Sequence, residues 1–145
     1  LLLGTLPTCS VVKPMVDVLR KESTRGYDET VAHIEKKMVE EGFSHIISKP
    51  LHKIFENKLG IKDYPGYTII LGCGVELAKM ALDVSKDVGT LYPCSFVVYE
   101  DEGKVMISHV SIMKAAVETN LAPADKMVPV IEETGKKIQK LWDKI

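Results

Sequence analysis

Few of the residues that announce a chemistry are present in this sequence. Among its 145 residues are 3 cysteines, 4 histidines and 1 tryptophan. So few cysteines cannot make a disulfide framework, and their odd number leaves at least one thiol without an intrachain partner. A reducing compartment, and with it a cytoplasmic location, is the expectation. A surplus of charge is missing as well: 19 Lys and Arg against 20 Asp and Glu leave a formal net charge of -1. Because the basic residues are also spread along the chain, the electrostatic footprint of nucleic-acid binding is absent. Doublets such as Lys36-Lys37, Glu40-Glu41 and Lys136-Lys137 read as solvated helix faces. No apolar run is long enough to span a bilayer, so no membrane partner is expected. His33, His45 and His52 lack metal-ligand spacing, and neither a metal nor a cofactor is expected.

What is present matches a globular protein: 46% apolar and 27% charged residues in a length suited to one domain. The first twelve residues, LLLGTLPTCSVV, are uncharged, and "LPTC" is suggestive of a lipoprotein cleavage site. The stretch LLLGTL is shorter than a signal h-region, however, and Thr8 is a poor residue before the cysteine. Export is not expected. Residues 1-14 are read as an N-terminal extension and residues 15-145 as a single domain.

Hydropathy periodicity predicts the elements in order. Met15 to Lys21 alternates at Val16 and Val18 as a half-buried strand does. A helix from Tyr27 to Glu41 carries Val31, Ile34 and Met38 on one face, with Gly26 as its N-cap and Gly42 closing it. A strand over Phe43 to Ser48, bounded by Pro50, precedes a short helix from Leu51 to Leu59 that ends at Gly60. Tyr67 to Leu71 is a continuous apolar run, expected at the sheet centre. Val75 to Lys86 reads as a helix, and Ser95 to Glu100 with Lys104 to Val110 as a hairpin turning at Asp101-Glu102-Gly103. Ser111 is placed to cap a short helix. A long helix begins near Asp125, with Met127, Ile131, Ile138 and Leu141 on one stripe and Pro129 near its first turn.

Together these elements predict an α+β two-layer sandwich, ferredoxin-like in outline, with helices on one face of a mixed sheet of four or five strands. The uncovered sheet face would carry apolar residues, which makes a homodimer an expectation.

The stretches MVDVLRKES, GYDETVAHIEKKMVEEGF, NKLGIKDYPGYTIILGCGVELAKMAL and VGTLYPCSFVVYEDEGKVMIS resemble the domain-of-unknown-function 302 (DUF302) family. The likeness covers about residues 15 to 145. Its most specific parts are the strand end from Tyr67 to Cys73 that leads into a helix, and Leu91-x-Pro93-Cys94 ahead of the hairpin. The resemblance implies a small two-layer domain that often pairs as a dimer and has no agreed activity. It also implies thiol or persulfide chemistry, since some members are encoded beside sulfur-transfer proteins. Cys73 and Cys94 stand where the family commonly shows cysteines. Gly74 and Val75 replace the Asn-Pro pair that often follows the first of them.

Gly72-Cys73-Gly74 invites three readings. A phosphate cradle needs G-x-G-x-x-G, and Leu77 stands in the place of the third glycine. A reactive Cys73 would draw on the N-H groups and dipole at the start of the next helix, against the repulsion of Glu76. A packing Cys73 would sit between two glycines that let strand and helix approach closely.

Cys94 is the second candidate thiol. If the helix between the two strands is a crossover, the strands run parallel and the two cysteines lie at opposite ends. A strand of that length spans about 17 Å, against about 7 Å for a disulfide's Cα atoms. The two thiols are therefore not expected to meet within one protomer.

Pairing Glu100 with Lys104 sets His109 opposite Ser95, next to Cys94 but on the other face. A one-residue bulge would bring His109 beside Cys94 as an activating base, and the alternative is a satisfied core histidine. Tyr92 and Tyr99, with Gly72 and Gly74, are candidates for a pocket wall. Hydrolase chemistry has no supporting motif.

The expected function is therefore a small dimeric accessory in thiol or sulfur handling, acting through Cys73 with a sulfur-carrier protein as partner. Its rival is a small-ligand-binding or structural module whose thiols are inert. An enzyme in its own right ranks third.

Overall fold

The computed structural model describes residues 18–145. In chain order the elements are β1 (Val18–Glu22), α1 (Tyr27–Glu40), β2 (Ser44–Pro50), α2 (Leu51–Leu59), β3 (Tyr67–Cys73), α3 (Val75–Val84), a 3-10 helix (Lys86–Leu91), β4 (Cys94–Asp101), β5 (Lys104–Val110), α4 (Ile112–Glu118) and α5 (Ala124–Trp142). The readings of residues 1-14, and the Met15 to Asp17 part of the first predicted strand, lie outside the described residues.

Local signals placed most of these elements. Gly42 (φ 86°) and Gly60 (φ 70°) take the left-handed conformation that ends α1 and α2. Ser111 caps α4 by accepting the Lys114 N-H at 3.3 Å. Glu102 and Gly103 both have positive φ, 50° and 77°, so the hairpin turns on two residues in the primed geometry that suits strand twist. Asp101 therefore pairs with Lys104.

The five strands form one sheet in the order β1-β5-β4-β3-β2, and every pairing is antiparallel. The α+β class is as expected, whereas the parallel pair of the expected mixed sheet is absent among the described residues. β3 and β4 run in opposite directions, with Gly72 facing Cys94. The chain leaves β3, runs out along α3 and comes back through the 3-10 helix, and the Tyr92 hydroxyl at the end of that return donates to the Ala78 carbonyl of α3 at 2.9 Å. Out and back cancel, so β4 starts beside the end of β3. A crossover would have needed α3 to run the length of the sheet.

One face of the sheet packs on the helices. Thr68, Ile70, Phe96, Val98, Ile107 and His109 point into that layer and are buried. Against them α1 sets Ile34 and Met38, and α5 sets Met127, Val130, Ile138 and Leu141. Each fully buried side chain of the size of Ile34 or Leu141 stabilises the fold by about 1.5–3 kcal/mol.

Three expectations shift here. β3 alternates rather than being buried throughout, with Thr68 inward and held by the Tyr27 hydroxyl, and the central strand is β4. On β1 it is Leu19 that packs inward while Val18 is exposed. Pro129 lies in the second turn of α5. The opposite sheet face carries Tyr67, Ile69, Leu71, Val97, Tyr99 and Met106, which are only half-buried. Among the described residues no helix is long and apolar enough to cross a membrane.

Candidate functional site

The site begins with the turn out of β3. A Cβ on Gly72 would run into the Met38 side chain of α1 and come within 3.1 Å of the Ser44 carbonyl oxygen. On Gly74 it would approach Leu77 Cδ1 and Phe43 Cε1, both at 3.1 Å. Two glycines let β3 pass close under α1 and enter α3 without displacing these neighbours. Leu77, at the third position of the incomplete phosphate motif, is itself buried and packs beside Gly74. The space over the turn is thus filled by hydrocarbon.

Beside this turn lies a cavity of about 30 Å³ lined by residues of every surrounding element. β3 and its turn give Gly72, Cys73 and Gly74, the return loop Tyr92 and Pro93, β4 Cys94, and β5 His109. Ser111, Met113, Thr134 and Ile138 close it from α4 and α5. Five of the candidates thus share one cavity with Cys73. Tyr99 does not belong to it: its ring stacks on Tyr67 at 5.9 Å on the open face of the sheet.

The two thiols do come to the same place. The expectation that they occupy opposite ends is corrected by the antiparallel pairing of β3 with β4, which brings the end of one beside the start of the other. Both are free. Cys94 donates a weak hydrogen bond to the Gly72 carbonyl at 3.4 Å. Burial pushes its thiol up to about 11, and the neighbouring Cys73 adds to the shift. At neutral pH Cys94 is a protonated wall. Burial also raises Tyr92, with both thiols contributing.

His109 stands opposite Phe96, one position along from the expected Ser95. A slip of one residue moves a side chain to the other face. His109 therefore shares the inner face with Cys94, without a bulge. Its ring stacks on Phe96 with centroids 4.3 Å apart, and its Nδ1-H donates to the Ser95 carbonyl at 2.7 Å. Burial lowers its pKa and the Ser95 bond opposes this, so the ring is neutral and its lone pair is on Nε2.

Periodicity alone passed over Phe43, Pro93 and Thr134. For Thr134 a signal existed, since it sits four residues from both Val130 and Ile138 on the buried stripe of α5. Pro93 carried one in the Leu91-x-Pro93-Cys94 motif, whereas Phe43 carried none, because its neighbours here come from distant elements. No group of three His, Cys, Asp or Glu able to hold a metal ion is present among the described residues. The cavity is apolar, uncharged and carries two thiols and an imidazole. It can hold a small uncharged group and bring it against sulfur.

The family described as domain of unknown function DUF302 matches residues 19–145. A solved structure of an uncharacterized conserved DUF302 protein from Bacillus stearothermophilus superposes with a TM-score of 0.76 at 22% identity, covering 88% of this chain and 96% of that one. That likeness establishes the shared fold. No curated protein matches the chain.

Proposed function

The chain belongs to the DUF302 family, and we propose that it is a small-ligand-binding module that handles sulfur through Cys73. The observation that carries this reading is the single cavity shared by Cys73, Cys94, Tyr92 and His109. Cys94, held as the neutral thiol, forms a wall and takes no part as a nucleophile. Cys73 is then the thiol left to react, and His109, neutral and in the same cavity, is the base at hand. In this reading the module is an accessory to a sulfur-carrier protein in the cytoplasm, to which a cavity with two thiols and an imidazole would present the sulfur.

Iodoacetamide labelling of the folded protein at near-neutral pH, followed by mass spectrometry of the cysteine peptides, tests the assignment. Cys73 is expected to label much faster than Cys94. Slow labelling at both sites would remove the sulfur role and leave ligand binding alone.

The module works as a homodimer in this reading, with the open sheet face as the seam. Ile69, Leu71, Val97 and Met106 make that face apolar, while Arg20, Glu22 and Lys49 rim it on the edge strands. Light scattering on the eluting protein should give twice the chain mass, and Ile69→Glu should halve it. A monomeric native protein would refute the seam.

A further inference from the structure

We propose that the thiol-lined cavity is the inner end of a two-chamber site for a small organic thiol, whose sulfur enters the inner chamber while Thr134 holds its polar body in the outer one. The inference rests on the reading that the cavity binds a ligand, and adds the ligand's class and the residue that recognises it.

The second chamber adjoins the first. It measures about 140 Å³ and shares His109, Ser111, Thr134 and Ile138 with the inner one. Its further walls include Gly135 and Gln139 of α5. At the junction, the Thr134 hydroxyl is buried without any hydrogen-bond partner, and the residue is 9% exposed. Helical threonines elsewhere in this chain satisfy themselves by donating to the carbonyl four residues back: Thr30 to Gly26 at 2.8 Å and Thr119 to Ala115 at 2.7 Å. Thr134 has Val130 four residues back and makes no such bond. A hydroxyl shut away from water and left unpaired is destabilising, and because Thr134 lines both chambers a ligand lodged there offers it the partner it lacks.

Its polar neighbours each hold a bond already, with the His109 Nε2 lone pair left over. His109 donates to Ser95, Ser111 accepts from Lys114, and Gln139 donates to Asp143. Next along the helix, Gly135 lines the outer chamber, and a Cβ there would meet nothing within 4 Å. Neither packing nor a positive φ requires glycine at this point, although glycine weakens a helix interior. Its absent side chain keeps the mouth of the chamber open.

The chamber sizes set the ligand. A water needs about 10–15 Å³ of such space, so about 30 Å³ is room for one or two heavy atoms, whereas a dry cavity of about 150 Å³ takes benzene. The body in the outer chamber is therefore a few heavy atoms, and the inner group is one or two. A sulfur suits walls made of Cys73, Cys94 and Met113, because a hydroxyl there would lose its water without gaining good partners.

NMR titration of the full chain with 2-mercaptoethanol, cysteamine and cysteine, against ethylene glycol, ethanolamine and serine, tests this. The thiols should shift the Thr134 and Gly135 amides and bind at least about tenfold more tightly than their oxygen counterparts. Thr134→Val keeps the shape and removes the unpaired hydroxyl. It should leave thermal stability equal or higher while weakening thiol binding about tenfold. Gly135→Leu should abolish the shifts, with Gly135→Ala as a milder variant that preserves the helix and narrows the mouth. Equal binding of the oxygen compounds, or unchanged binding by Thr134→Val, overturns the proposal. If no thiol titrates while Cys73 still alkylates rapidly, this inference fails and the reading of Cys73 stands. Titration with an inert Cys73 has the opposite meaning.

Discussion

The Cys94 thiol donates to the carbonyl of Gly72, its directly facing partner across the antiparallel β3–β4 pair, over 3.4 Å. That single contact fixes where the sulfurs lie. Gly72 precedes Cys73, so whatever positions Gly72 under α1 also positions the second thiol at the cavity. Four measurable consequences follow from the packing around it.

The thiol of Cys94, raised to about 11 chiefly by burial, should keep gaining alkylation rate in the folded protein through pH 10. A free cysteine levels off near its ordinary value of about 8.5. Cys73→Ser removes the second cause and should move the curve to lower pH. A Cys94 profile that levels off where a free thiol does would contradict the buried-wall assignment.

His109 is held neutral by burial, so its folded pKa lies below that of the unfolded chain. The unfolded state then binds more protons as pH falls, and this residue's stabilisation is present above about pH 6.5 and declines below it. Thermal melts between pH 7.5 and 5 should fall less steeply for His109→Gln than for the native protein. Equal slopes would mean that the ring does not carry the linkage.

Gly72→Ala would drive a Cβ into Met38, a core side chain with 0% exposure, and close on the Ser44 carbonyl. A loss of about 1–3 kcal/mol is expected in denaturant unfolding. Met38→Ala opens the space, so the same glycine change should cost less in that background, a coupling that a double-mutant cycle measures. Additive losses would show that the close approach is not the reason for the glycine.

Thr68 is buried and hydrogen-bonded to the Tyr27 hydroxyl, joining the start of β3 to the first turn of α1. Thr68→Val keeps the shape and takes the bond from a half-buried phenol, at a cost of about 0.5–1.5 kcal/mol. Burial also raises the Tyr27 pKa, and the Thr68 bond opposes that shift. The valine variant should therefore titrate Tyr27 at higher pH by ultraviolet absorbance. An unchanged Tyr27 titration would argue against the bond.

Elements whose signals are local were readable in advance. The Glu102-Gly103 turn, the Gly60 stop and the Ile34-Met38 stripe each depend on residues within one or two turns of chain. Register was harder: taking Asp101 as part of the turn put His109 opposite Ser95, and the actual two-residue turn moved it to Phe96 and onto the other face. Thr134 was passed over because a polar residue on an apolar stripe reads as an interruption, while its role depends on what faces it.

By itself, the sequence determined the α-helices, the hairpin, the glycine-flanked turn and the kinship of the chain but not the 3-10 helix, since propensity, spacing and capping act over a few residues. Whether β4 runs with or against β3 was left to the tertiary structure. Twenty residues separate Cys73 from Cys94 in number only, and the same linker is long enough to cross the sheet or to fold back on itself. Packing decided for the return, because Tyr92 closes onto the first turns of α3. The cavity, with both thiols and the imidazole in it, exists as a consequence of that choice.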